Sequence, residues 1–348
     1  MDSNYNISNG SQSSGASSGG NPYLTQQVVF ELFLFFLIII GNGAVLLVIS
    51  FGSQTSRMHF VIKNLAFADL CMGLVYLLPR IVMQLSGHVF YGGNALCKIY
   101  EFLTHFVYFG SSFIMIALSI DRLIVVANPV RSLETMGRKF KLSVLACWMA
   151  ACVFGIAGTF LYEYDEMDRE CGLIFRTRYE FKVYFVVVLV SQFVIPTLII
   201  GGCYVTIAII VWRAVRRTKN ATGSDYLEIQ ENLHASSRSR MSASGSTEHN
   251  ISSAKLKTIK MTFVITLAYV CCWTPFMIFN VLDVHGYFSN DTEMMHIRFF
   301  VQSLLPLNSV VNPIIYGVFS SSICSQFKNG LWKKLSTSRS ACTKNDTV

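Results

Sequence analysis

Charge is what this sequence is short of. Only 14% of its 348 residues are Asp, Glu, Lys or Arg, against ~25% in an average soluble domain. A soluble α-helical protein of this length would need more polar surface. Paired cysteine motifs are missing too. The ten cysteines lie mostly inside apolar runs, where a thiol behaves as a small buried hydrophobe, and none forms a CxxC pair with zinc-ligand spacing. That excludes a disulfide-dense secreted domain and a structural zinc module. No nucleophile–base set or metal motif appears, so nothing points to an enzyme. No internal repeat is evident, which leaves an inverted-repeat transporter little support. Residues 1–27 lack the basic and then apolar pattern of a cleaved signal peptide. They are rich in Ser, Gly and Asn and read as a disordered arm, which makes the first apolar run the membrane-insertion signal.

What is abundant is apolar: 52% of the residues are hydrophobic. A helix needs ~20 apolar residues to cross the hydrocarbon core. Runs of that length fall near residues 28–51, 60–85, 97–126, 142–161, 183–212, 259–282 and 297–319. They are expected to be helices, because a lone strand would leave its backbone unpaired in lipid. The expectation is therefore an all-α membrane protein, a seven-helix bundle over residues 28–319, with a third inner loop at about 213–258 and a tail at 320–348.

Basic residues set the orientation. With the N-terminus outside, the inner side receives Arg57, Arg131, Arg138, Lys139, Lys141, Arg213, Arg216, Arg217, Lys219, Lys255, Lys257, Lys260, Lys328, Lys333 and Lys334. The outer side keeps Arg169, Arg176, Arg178, Arg298 and few others. This satisfies the positive-inside rule with an odd number of spans. It also accounts for the net charge of +8 without a nucleic-acid partner. Asn6 and Asn9 begin glycosylation sequons on the outer arm, and Asn290 begins one in the last outer loop.

Several polar residues stand where lipid would penalise them. Asp69 lies within the second run; a carboxylate at the bilayer centre costs ~2.5–3.5 kcal/mol or more unless it faces the bundle interior. Asn42, Ser111, Asn308 and Asn312 are its plausible partners in other runs. Such a set can hold a small hard cation or water, or can simply join helices by hydrogen bonds; spacing admits both. Asp121-Arg122 ends the third run, either as a local ion pair or as a snorkelling anchor. Pro79, Pro196, Pro275, Pro306 and Pro313 lie inside runs, where each removes a helical hydrogen bond.

The ordered set of motifs resembles the rhodopsin-like (class A) G-protein-coupled receptors, over residues 28–332. It comprises Gly41-Asn42, Leu65-Ala-Phe-Ala-Asp69, Cys97, Asp121-Arg122-Leu123, Trp148, Pro196, Tyr204, Cys272-Trp273-Thr-Pro275 and Asn312-Pro313-Ile-Ile-Tyr316. The resemblance implies a Cys97–Cys171 disulfide and a sodium site at Asp69, Ser111, Asn308 and Asn312. No other cofactor is expected. It further implies an activation switch of Asp121, Arg122, Tyr204, Trp273, Pro275, Asn312, Pro313 and Tyr316. An agonist would favour the state in which helix six swings outward, and a heterotrimeric G protein entering the opened cleft would tighten agonist binding by linkage. Two positions depart from the pattern. Leu123 replaces the usual Tyr, and Ile323 stands where the short amphipathic eighth helix, 320–334, usually begins with Phe.

The resemblance narrows the ligand mainly by exclusion. Thr104 occupies the position where amine receptors carry Asp, and residues 297–319 contain no Lys for retinal. Inward-facing candidates are Gln84, Glu101, Thr104, His105, Tyr108, Gln192, Phe276, Asn280, Asp283, Arg298 and Gln302. The second outer loop carries Glu163, Asp165, Glu166, Asp168 and Glu170, a negative mouth suited to steering a basic ligand. Glu31, Glu101 and Asp283 are expected to deepen that bias, and Arg80, Lys98, Arg176, Arg178 and Arg298 to oppose it. The sixth and seventh runs resemble the vasopressin/oxytocin, neuropeptide S and crustacean cardioactive peptide receptor group. A peptide ligand at the plasma membrane follows, with a non-peptide small molecule as the alternative. Ser236, Ser237, Ser239, Ser242, Ser244, Ser336, Thr337 and Ser338 are candidate phosphosites for receptor kinases and an arrestin.

Overall fold

The computed structural model describes residues 22–52, 57–128, 136–175, 177–232, 253–288 and 291–319. Seven helices in it are long and apolar enough to cross a membrane, one on each expected run. We label them α1 (Pro22–Phe51), α2 (Arg57–Leu85), α3 (Gly93–Ala127) and α4 (Met136–Thr159), then α5 (Arg178–Leu189 continued through Ile195–Asn232), α6 (Ser253–Val284) and α7 (Thr292–Ser303 with Leu307–Phe319). The sequons at Asn6, Asn9 and Asn290, Arg176, the candidate phosphosites and the amphipathic segment 320–334 lie outside the described residues.

The bundle inverts the polarity of a soluble protein. Ile40, Leu198 and Val318 are more than 60% exposed, whereas Asn42, Asp69, Asp121 and Asn312 are buried. An apolar outside with a polar inside is stable only where the surroundings are hydrocarbon. Close approach of α3 to α4 depends on Gly110, where an added Cβ would stand 2.7 Å from the Trp148 ring. Helix starts follow capping chemistry. The Thr177 hydroxyl accepts from the Glu180 amide at 3.2 Å, and Asp291 accepts from the Met294 amide at 2.8 Å.

The first helix begins at Pro22, earlier than the arm boundary drawn at residue 27 from apolar content. Proline fixes a helical φ and lacks an amide that would be unpaired in a first turn anyway. Gln27 is then tied into the bundle by its amide group, which donates to Glu31 and Ser303.

The prolines do more than kink. Pro79 and Pro196 each follow a wide π-turn, Met72–Leu77 and Val190–Val194, which accommodates the ring by shifting to i→i+5 bonding. Proline also orphans the carbonyl four residues before it. For Pro313 that carbonyl is Ser309, and the Asn42 side chain of α1 donates to it at 3.0 Å. For Pro196 it is Gln192, which the Tyr269 hydroxyl of α6 reaches at 2.5 Å. Pro306 breaks α7 outright: helix stops at Ser303 and resumes at Leu307.

Between α4 and α5 an antiparallel hairpin pairs β1 (Tyr162–Asp165) with β2 (Glu170–Leu173), Tyr164 opposite Cys171. A Cys97–Cys171 disulfide pins it to the first turns of α3. The Asp165 carboxylate closes the turn by accepting from the Met167 amide at 2.8 Å. Burial, then Asp168 and Asp165, push the Glu170 carboxyl pKa above its usual range, as expected of crowded acids.

Candidate functional site

The hairpin lies at one end of the bundle, tied to α3 through Cys97 and against the His105 ring. Charges among the ligand-site candidates and their neighbours toward this end form defined contacts. Glu31, fully buried on α1, accepts at one carboxylate oxygen from Arg80 (3.0 Å), Gln84 (3.2 Å), Gln27 (3.1 Å) and Ser303 (2.6 Å). Arg80 also donates to Gln302 at 3.1 Å. This network joins α1, α2 and α7. Asp283 and Arg298 form a second pair across α6 and α7, with contacts of 2.7–3.0 Å. Glu31 and Asp283 therefore do not deepen a negative mouth as expected, because an arginine neutralises each. Helical spacing showed which residues face inward but not which cation meets which acid.

Glu101 is different. Its side chain on α3 is 10% exposed, and its ion-pair contact is His105 of the same helix, at 3.6 Å. The His105 ring lies 2.8 Å from the Glu101 backbone oxygen through Nδ1 and 3.2 Å from the Tyr184 hydroxyl through Nε2. It meets Tyr162 of the hairpin edge-on, 5.6 Å between centroids. Burial and the nearby Glu101 carboxylate push the Tyr162 phenol pKa well up. Lys98, one turn away, is committed to the carbonyls of Thr159 and Tyr162. Thr104 is buried as well. Asn280 bonds the Phe276 carbonyl of its own helix at 2.7 Å.

Deeper lies an aromatic layer around Trp273, with Tyr108 at 5.7 Å, Tyr269 at 5.8 Å and Phe276 at 6.2 Å. Gln192, one of the ligand-site candidates, is buried at this level. It donates to the Tyr108 carbonyl (2.9 Å) and the Ser112 hydroxyl (2.8 Å). Tyr269 lies 3.2 Å from Ser112 as well, so Ser112, Gln192 and Tyr269 tie α3, α5 and α6 together. The sequence reading did not include Ser112 or Tyr269. Tyr269 could have been found one helical turn from Trp273, on the same face.

Below Trp273 is a small cavity lined by Asp69, Ser111, Asn308, Ser309 and neighbours. Asn312 donates to one Asp69 oxygen at 2.9 Å. The other Asp69 oxygen and the amide oxygens of Asn308 and Asn312 are buried without a hydrogen-bond partner. Buried oxygens without donors suit a hard monovalent cation such as sodium. The Asn42 amide nitrogen serves the Ser309 and Ile38 carbonyls, and its oxygen is likewise buried without a hydrogen-bond partner.

At the opposite end, buried Asp121 pairs with Arg122 beside it and with Arg57 of α2. Arg57 also lies over the Phe140 ring of α4. Tyr316 is fully buried, Tyr204 packs edge-on against Phe263 of α6, and Pro313 abuts Gly41. The sequence reading placed Arg57 only by compartment and missed its contact with Asp121.

Comparison with known proteins agrees with this arrangement. The family model described as 7 transmembrane receptor (rhodopsin family) matches residues 41–316. An isotocin receptor from Catostomus commersonii is 29% identical over 95% of this chain and 85% of its own length. An oxytocin receptor from Ovis aries is 29% identical over 83% and 74%, and a vasopressin V1b receptor from Homo sapiens 29% over 81% and 70%. The chain belongs to the rhodopsin family of seven-transmembrane receptors, signalling proteins rather than enzymes, and within it resembles the vasopressin/oxytocin group.

Proposed function

We propose that this protein is a plasma-membrane receptor for a neuropeptide or peptide hormone, with its N-terminus outside and a heterotrimeric G protein as its inner partner. The observation that carries the peptide assignment is the set of charged and polar side chains at the end of the bundle that bears a pinned, acid-rich hairpin, in a chain whose relatives are named for peptides. A lipid ligand would favour a covered apolar mouth instead. Basic residues on the loops opposite the hairpin support the orientation. In this reading the ligand acts on the Trp273 layer, α6 swings outward, and the cleft beside Arg122 opens to the G protein. Sodium held by Asp69, Ser111, Asn308 and Asn312 would favour the closed state. Receptor kinases and an arrestin would act on the serine-rich inner segments.

The test is a peptide screen in transfected cells with calcium and cyclic-AMP readouts, including isotocin, oxytocin and vasopressin. No response to any peptide, with receptor present at the surface, would reject the reading. For the switch, Arg122→Ala is expected to bring stimulated signalling down to background while surface level is kept, because Asp121 retains Arg57. Signalling preserved in that variant would remove Arg122 from the mechanism.

A further inference from the structure

Charge pairing under the hairpin leaves one carboxylate without a cationic partner of matching strength. Glu31 meets Arg80 and Asp283 meets Arg298. Lys98 is held by two backbone carbonyls. Among the described residues, the ion-pair contact of Glu101 is His105, at 3.6 Å. That ring is already placed by the Glu101 backbone oxygen and the Tyr184 hydroxyl. A neutral imidazole satisfies both, one nitrogen donating to the carbonyl and the other accepting from the phenol. The ring has little freedom to turn away, because α4 backs it at Gly158, where an added Cβ would stand 3.0 Å from it.

Position and surroundings define what would complete the site. Glu101 lies one helical turn below Cys97, at the end of the bundle that the hairpin caps. Its side chain is nine-tenths buried. Tyr162 and Tyr184 are its electrostatic neighbours, and the His105 ring meets Tyr162 edge-on. A carboxylate among aromatic rings suits an alkylammonium or guanidinium, which gains a charge-assisted hydrogen bond from the acid and attraction from the ring faces. An anionic ligand group would be repelled, and a neutral one would leave the carboxylate uncompensated.

Resting on the peptide reading above, we propose that Glu101 determines ligand specificity by receiving a cationic group of the peptide, a basic side chain or a free amine, beside Tyr162 and His105. The interaction forms when ligand binds and supplies the charge the pocket lacks.

The experiment uses the full-length, epitope-tagged receptor in cells. Each position of isotocin, oxytocin and vasopressin is replaced in turn by arginine and by its uncharged isostere citrulline, and potency is read for both sets. A separate N-acetylated set removes the terminal amine. At one position or at the amine, wild type is expected to prefer the charged form by about tenfold or more. In Glu101→Gln the charged-to-neutral potency ratio falls to about one, and in Glu101→Asp much of it returns, with surface level measured for each. A preference unchanged in Glu101→Gln overturns the proposal and leaves the peptide reading standing. Activation with no charge preference in wild type does the same. If no peptide of any set activates surface-expressed wild type, the peptide reading falls and this assignment with it.

Discussion

Arg80→Ala is expected to remove most of the receptor from the cell surface. Glu31 has no exposure to solvent, and its carboxylate is held by Gln27 of α1, Arg80 and Gln84 of α2 and Ser303 of α7, of which Arg80 brings a formal charge. Deleting the guanidinium strands a buried anion, a change that costs about 3–5 kcal/mol. Folded proteins retain only about 5–15 kcal/mol in total. The same principle makes the reciprocal expectation. Replacing both partners, as in Glu31→Gln with Arg80→Met, leaves no uncompensated charge and is expected to recover much of the lost surface level. Antibody counting of tagged receptor on intact cells, with melting of detergent-solubilised protein, measures both. Wild-type surface level and melting in Arg80→Ala would mean that the network bears little on stability.

Tyr269→Phe is expected to raise signalling without ligand by about five- to tenfold. The ring remains, so packing against Trp273 is kept and only a hydroxyl is lost. That hydroxyl satisfies the Gln192 carbonyl, which Pro196 has deprived of its helical donor. An unsatisfied buried acceptor costs about 1–3 kcal/mol. The cost falls on the arrangement in which α6 stands against α5, so the equilibrium moves toward the outward state in proportion. The measurement is cyclic AMP or inositol phosphate accumulation, without peptide, as a function of receptor number. Unchanged basal output at equal surface level would show that Tyr269 holds both states equally.

These two variants also mark the boundary of what the sequence could disclose. The seven runs were legible because a bilayer imposes a minimum apolar length whatever the packing, and each fell on a helix. Asp69, Asn308 and Asn312 were legible as interior residues because hydrocarbon penalises them anywhere else, and all three are buried. The Cys97–Cys171 link, implied only by family resemblance, is present. Glu31 and Asp283 were misjudged as contributors to a negative mouth, because periodicity assigns a face to a side chain and not a partner. Arg57 was counted as an inner-side cation, but its contact with Asp121 spans α2 and α3.

The sequence by itself determined the architecture: where the chain crosses lipid, which dipoles must point inward, and where proline removes helical hydrogen bonds. Those follow from local composition and the solvent. Only the tertiary structure decided how the interior charges cancel, which donors from neighbouring helices capture the orphaned carbonyls of Gln192 and Ser309, and that Glu101 meets a histidine where Glu31 and Asp283 meet arginines. Pairing energies depend on ångström-scale distances between helices remote in sequence, and one-dimensional spacing holds no record of those distances.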